Sequence, residues 1–473
     1  MALVLTSSAE FATLYFACLF LGAVAVPVNP GLHSREVAFV LAHSGVKLII
    51  CSPVTQKLVI ESTQTLSLPL LCLLPRGEPV LVDDRTPVWS LDAFSVSQIP
   101  DWFPFQGVQG KDFFSITFTS GTTSMPKAVA HRISGLFENA IAFNEELGIV
   151  SGNRFLHLMP MAYMAGFLNT LLCPFIAGAS VVITPPFGAP TALRFWQPVI
   201  QKGADTFWLS PTMLAALLRI DRNTAGLEYC CQHVKTICVG TAPLSRKVKS
   251  DFEQKYKVEL LESYGLSELL FVANNSPRFP RVDGSVGRLL PGIQIQVVNE
   301  QGNRIKEGND GEIWIKTPHI MAGYLNYGTL QPDPCDPKEW FATGDIGHVS
   351  EDGHVFITGR KKDLIIRGGI NISPRTIEEV LERYTGVDQA VVIGLPHDFY
   401  GEEVVAVVKL KPGYTLDVVR PTLSALCEEN LSAISIPAKF FTLDDLPTSS
   451  TGKVQKSKVR EILLTKVNTD SRN

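Results

Sequence analysis

Short apolar runs recur through the first 290 or so residues, and the stretches between them carry helical periodicity. Residues 46–51, 114–117, 180–184, 206–209 and 236–239 each read as a strand buried on both faces. Strands of this kind, alternating with helices, predict α/β layers with largely parallel strands, because a parallel sheet is covered on both sides. From about residue 292 the texture changes to hairpins. A run at 293–299 precedes the turn Glu300-Gln301-Gly302, another follows at 311–317, and Val349 and residues 355–358 flank Glu351-Asp352-Gly353. This predicts a β-rich subdomain over about 292–358. Beyond Gly359 a third unit begins. Ser373 and Pro374 suit the cap and first turn of a helix whose apolar stripe is Ile377, Val380, Leu381 and Tyr384. Strands at 390–395 and 403–411, a helix to about Asn430 and a strand near Phe440 complete a compact α+β domain. The expected division is 1–360 for the N-terminal core and 361–473 for the C-terminal domain.

The apolar stretch from Phe11 to Val28 has the length of a short membrane span. Its surroundings argue otherwise. No Lys or Arg precedes it, Ser7-Ser8-Ala9-Glu10 has the character of a helix cap, and Gly22 interrupts it. We read a buried helix to about Leu21, then a buried strand over 23–28, and therefore no membrane span. With 473 residues, 45% of them hydrophobic and 19% charged, the chain can bury more than one core. A formal net charge of −4 without a Lys/Arg-rich run gives no footprint for nucleic acid. The 9 cysteines show no C-x-x-C spacing. That pattern fits a reducing, cytoplasmic setting, and neither a disulfide framework nor a zinc site.

The segment Thr119-Ser120-Gly121-Thr122-Thr123-Ser124-Met125-Pro126-Lys127 follows an expected strand and precedes a helix expected near Ser134. Its hydroxyls, a Gly for close backbone approach and a Lys suit phosphate oxygens, and they equally suit a polar surface turn. No Gly-Lys-Ser/Thr closes it, so it is not a Walker A loop. The segment resembles the phosphate loop of the AMP-forming adenylating enzymes, which include acyl- and aryl-CoA synthetases, luciferases and peptide-synthetase adenylation domains. It departs from that loop at Ser124 and Ala128, where the family has Gly.

Further motifs follow in the family's order. Gly240-Thr241-Ala242-Pro243-Leu244 is similar to the turn along the adenine, and Tyr264-Gly265-Leu266-Ser267-Glu268 to the Y-G-x-T-E element. The resemblance implies that Tyr264 stacks on adenine, Ser267 reaches the α-phosphate and Glu268 holds Mg²⁺. Asp345 in Thr343-Gly344-Asp345 and Arg360 correspond to the family's ribose contacts. Lys362 matches the hinge, which implies a mobile C-terminal domain, and Gly368-Gly369 the loop lining the thiol tunnel. Lys453, closing Pro447-Thr448-Ser449-Ser450-Thr451-Gly452-Lys453, resembles the lysine that bridges the α-phosphate and the substrate carboxylate. The segment from Met159 to Gly166 is similar to one that reads L-P-x-F-H-x-x-G, with Tyr163 in place of His. Met161, Tyr163, Met164, Phe167 and Thr241 become acyl-pocket candidates, a mixture that favours a fatty or aromatic acid.

The resemblance thus implies an ATP-dependent, AMP-forming ligase that activates a carboxylic acid as acyl-AMP. Lys127, Glu268 and Lys453 would be its catalytic groups, and CoA its thiol acceptor. Two alternatives stay open: loading of a separate acyl carrier protein, and a nucleotide-binding homologue without catalysis. The family begins with a further N-terminal segment, and this chain is expected to start inside it.

Overall fold

The computed structural model describes residues 1–64, 70–72, 88–90, 107–119, 126–448 and 453–470. The chain opens with a strand the sequence did not announce, Ala2–Val4. It enters a five-stranded parallel sheet in the order Val26–Pro27, Ala2–Val4, Ile49–Cys51, Leu70–Cys72, Val88–Ser90. The helix expected after Ser8 is Ala9–Phe20. Ser8 is its cap, with its hydroxyl accepting from the Phe11 N–H at 3.2 Å. Phe11, Tyr15 and Cys18 face the core, while Phe20 and Leu21 are exposed, so the apolar stretch is an amphipathic core element. No helix among the described residues is long and apolar enough to cross a membrane.

The central sheet has seven strands. Its order is Arg288–Leu289, Leu270–Asn274, Leu260–Leu266, Thr236–Val239, Thr206–Leu209, Arg154–His157, Ser180–Ile183. From Leu260–Leu266 to Ser180–Ile183 the pairings are parallel, as the doubly buried runs predicted. One face carries Phe155, Trp208, Cys238 and Leu261 into one core, and the other carries Leu156, Phe207, Ile237 and Leu260 into a second. Covering both faces is what permits near-continuous apolar strands.

The run at 114–117 behaves differently. It is part of Phe113–Thr119, antiparallel to Lys127–Arg132, and the segment between them joins a hairpin rather than a strand to a helix. The helix expected near Ser134 follows as Ile133–Leu147. Gly323–Leu325 and Pro332–Pro334 extend this sheet, although they lie within the span expected for the β-rich subdomain. That subdomain therefore consists of Gln294–Val298, Gly311–Lys316, Phe341–Val349 and Val355–Arg360, an antiparallel four-stranded sheet from which the intervening segment departs.

The C-terminal sheet pairs Val387–His397 with Gly401–Leu410, which also pairs with Lys439–Thr442 and Ile365–Arg367. Helices Pro374–Leu381 and Leu416–Asn430 pack on it. The first starts where expected, but Ser373 makes no cap bond. Its hydroxyl donates instead to the Thr358 carbonyl at 2.7 Å, tying the helix start to the β-rich subdomain. Arg219–Asp388 at 3.0 Å is a second bond between the N- and C-terminal parts.

Glu382 lies at this seam, accepting from the Ala390 N–H at 3.2 Å and within reach of the Ser245 hydroxyl. Burial first, then the nearby Glu378 and Glu379, push its pKa to about 7 from an ordinary 4.5. The folded state therefore holds a proton that the unfolded chain releases, so Glu382 favours folding below about pH 4.5 and loses that contribution as pH rises through about 7. Thermal melts of wild type and Glu382→Gln across this window should show a smaller loss of melting temperature with rising pH in the variant.

Candidate active site

The Tyr264–Glu268 motif occupies the end of strand Leu260–Leu266 and the turn beyond it. The chain reverses there against Leu270–Asn274, with a bulge between Tyr264 and Gly265. A Cβ on Gly265 would stand 2.3 Å from the Leu270 carbonyl oxygen, so the bulge requires glycine. Two outside donors pin the motif's backbone. His131 Nε2 donates to the Ser267 carbonyl at 2.7 Å, and the Met321 N–H to the Glu268 carbonyl at 2.7 Å. Burial holds His131 at a pKa of about 4, so it is a neutral imidazole with its proton on Nε2. The sequence reading missed His131, because one polar residue inside an apolar strand gives no signal of what it faces.

Asp345 lies in the strand Phe341–Val349 and is 2% exposed. Its Oδ2 accepts from the Tyr264 hydroxyl at 2.7 Å, and its Oδ1 from Arg360 Nε at 2.8 Å. Arg360 is its direct cross-strand partner. Thr343 supports the turn, accepting from the Asp345 N–H at 3.0 Å and donating to the Ile313 carbonyl at 2.7 Å. Burial, then the Asp345 charge, push the Tyr264 phenol well above its usual pKa, so it stays a donor.

Glu268 Oε1 accepts from the Tyr324 hydroxyl at 2.9 Å, and Lys127 Nζ lies 4.5 Å from the centre of the Tyr324 ring. Tyr324 was also missed, since Gly323-Tyr324-Leu325 reads as an ordinary strand. Thr119 and Lys127 pair at the loop end of the hairpin Phe113–Thr119/Lys127–Arg132. Ser120, Gly121, Thr122 and Thr123 lie outside the described residues. Gly240 to Pro243 form the loop after strand Thr236–Val239, with Thr241 at φ +73°, a left-handed backbone rarely adopted by a β-branched residue.

From the C-terminal domain, Lys453 comes within electrostatic range of Arg360, Asp345 and Lys362. Desolvation first, then the positive charges of Arg360 and Lys362, lower its pKa to about 8, against the pull of Asp345. The residue as a whole is exposed, so the neighbouring charges, rather than burial, carry the functional weight of this shift.

Residues 1–325 match the model of the AMP-binding enzyme family, and residues 376–453 match that of the AMP-binding enzyme C-terminal domain. The chain belongs to the AMP-binding enzyme family. Its reaction class is that of an AMP-forming acid–CoA ligase, with the acid left open. It is similar to the sulfoacetate–CoA ligase of Cupriavidus necator, at 29% identity over 96% of this chain and 86% of that one. An uncharacterized acyl–CoA ligase of Bacillus subtilis is 31% identical over 81% of this chain and 76% of its own length. Among solved structures, ATP-bound MatB from Rhodopseudomonas palustris superposes with a TM-score of 0.84 at 27% identity, covering 98% of this chain and 88% of that one. Apo MatB superposes with a TM-score of 0.73 at 27% identity.

The other positions expected from the AMP-binding family fall as follows. Lys362 is exposed in the short turn Lys361–Asp363, directly after the strand that ends at Arg360. Gly368 and Gly369, with φ of +57° and +82°, form the two-residue loop between Ile365–Arg367 and Ile370–Ile372, and are exposed. Tyr163 is half-buried and its hydroxyl accepts from Asn29 Nδ2 at 2.7 Å. Met161 and Met164 are buried behind it. Phe167 is fully buried, stacked on Tyr15 at 4.0 Å and edge-on to Phe114, in the same core cluster as Met161 and Met164.

Asp345→Asn should weaken ATP binding by about tenfold or more, since a hydrogen bond to a charged acceptor is the stronger kind. Calorimetric titration of the variant checks this; affinity within twofold of wild type would remove Asp345 from the nucleotide site.

Proposed function

We propose that this chain joins a fatty or aromatic carboxylic acid to CoA through an acyl-adenylate, with a C-terminal domain from about residue 361 supplying Lys453 to the first half-reaction. The observation that carries the reading is that Lys453, from the C-terminal domain, lies within electrostatic range of Arg360, Lys362 and the buried Asp345 carboxylate. In the first step a carboxylate oxygen of the acid bonds to the α-phosphorus of ATP, and the bond to the β-phosphate oxygen breaks, releasing pyrophosphate. Asp345 and Arg360 hold the ribose, the Gly240–Pro243 loop and Tyr264 border the adenine, and Ser267 reaches the α-phosphate. Thr119, Ser120, Gly121, Thr122, Thr123 and Lys127 hold the phosphates, while Lys453 stabilises charge on the α-phosphate and the attacking carboxylate. In the second step the CoA sulfur bonds to the acyl carbon and AMP departs.

Among the described residues no three His, Cys, Asp or Glu side chains gather as a metal site. The single carboxylate of Glu268 fits Mg²⁺ carried on ATP, since that ion keeps waters and binds through one or two carboxylates plus phosphates. Bound there, it would neutralise charge on the phosphate oxygens. Gly368 and Gly369, on an exposed loop, suit close approach of a pantetheine arm after rotation about Lys362. CoA as acceptor is supported by the relatives named as CoA ligases. The acid class rests on Met161 and Met164 behind the half-buried Tyr163.

Acid-dependent exchange of labelled pyrophosphate into ATP, over fatty, aromatic, dicarboxylic and amino acids, tests the first step. Exchange with fatty or aromatic acids is expected; ATP binding without exchange from any class would overturn catalysis. Lys453→Ala should slow exchange by about 100-fold or more while sparing thioester formation from supplied acyl-AMP. The required ammonium is present below about pH 8 and lost above it, so exchange should decline as pH rises through about 8. In Lys453→Arg, whose guanidinium stays charged, that decline should be absent.

A further inference from the structure

Tyr324 lies on the strand Gly323–Leu325, which leaves the β-rich subdomain to pair with Lys127–Arg132. Its cross-strand partner is Val129, so Lys127, two residues along, shares its face of the sheet. The backbone leading to it is bonded to both motifs. The Met321 N–H donates to the Glu268 carbonyl at 2.7 Å, and the Ala322 N–H to the Ala130 carbonyl at 2.7 Å. The side chain repeats the pattern, with its hydroxyl on Glu268 Oε1 at 2.9 Å and Lys127 Nζ over its ring at 4.5 Å.

We propose that Tyr324 is a positioning residue whose hydroxyl aims the Glu268 carboxylate and whose ring face holds the Lys127 ammonium, setting both before ATP enters. The proposal rests on the reading of Glu268 as the metal-side carboxylate and Lys127 as a phosphate ligand. Lys127 is the exposed first residue of an otherwise buried strand and Glu268 sits on a turn, so each side chain would otherwise sample several rotamers. A direct ion pair would order them, but ATP would then have to break it. A tyrosine satisfies each charge separately: its O–H donates to the anion, and its electron-rich face attracts the cation. The hydroxyl bonds Oε1, and the carboxylate's second oxygen, Oε2, can serve an oxygen-seeking cation.

The two contacts separate by substitution. Tyr324→Phe keeps the ring and loses the hydrogen bond, whereas Tyr324→Leu loses both. ATP binding to the full chain is measured by calorimetry without metal and across a Mg²⁺ series, alongside thermal melts and the KM for ATP in pyrophosphate exchange. In Tyr324→Phe, the Mg²⁺ concentration for half-maximal enhancement of binding should rise about five- to tenfold, with metal-free binding within about twofold of wild type. Tyr324→Leu should add a further loss of about threefold in metal-free binding and a matching rise in KM. A purely structural role would lower melting temperature in both variants without moving the Mg²⁺ midpoint, and that result overturns the proposal. So does an unchanged midpoint in Tyr324→Phe, which decides alone should the leucine variant fail to fold. Wild-type ATP binding that ignores Mg²⁺ would instead overturn the Glu268 assignment, and the inference with it.

Discussion

A buried carboxylate is costly unless its charge is answered, and Asp345 is answered from two directions. Arg360 comes from the adjacent strand and Tyr264 from the end of the central sheet, so one side chain joins two sheets. Arg360 is also the last residue before the turn that leads into the C-terminal domain. The group that neutralises Asp345 is therefore the group at which the chain leaves the N-terminal core. Removing either partner would leave charge in a site almost without solvent, which makes the arrangement stiff.

Around this pair the site is held by the backbone more than by side chains. His131 and the Met321 N–H grip successive carbonyls of the Ser267-Glu268 turn, and Thr343 grips the strand beside Asp345. Donors and acceptors fixed before the substrates arrive need little reorganisation during reaction. The loop from Gly240 and the turn from Tyr264 follow the carboxyl ends of parallel strands, where open α/β sheets present their crevices. Lys453 stands apart from this rigidity. It arrives on the C-terminal domain, which is bonded across the seam by Ser373, Asp388 and Glu382.

Much of the fold could be read from local pattern. Ser8 caps the first helix, the runs at 180–184, 206–209 and 236–239 are parallel strands, and the hairpins after residue 292 and the C-terminal α+β unit lie where their turns place them. The misreadings share a cause. The run at 114–117 is as apolar as its neighbours, yet it pairs antiparallel, because apolarity reports burial and not strand direction. Ser373 starts its helix, but its hydroxyl bonds to Thr358 rather than capping.

The sequence by itself determined the family and the order of its motifs, since these depend on side-chain chemistry at close spacing. The tertiary structure alone decided how those motifs are braced. His131 meets Ser267 across 136 residues, Tyr324 meets Glu268 across 56, and Tyr264 meets Asp345 across 81. Contacts of that separation leave no periodicity in the chain. They follow from strand pairing and register, which only the folded sheets establish.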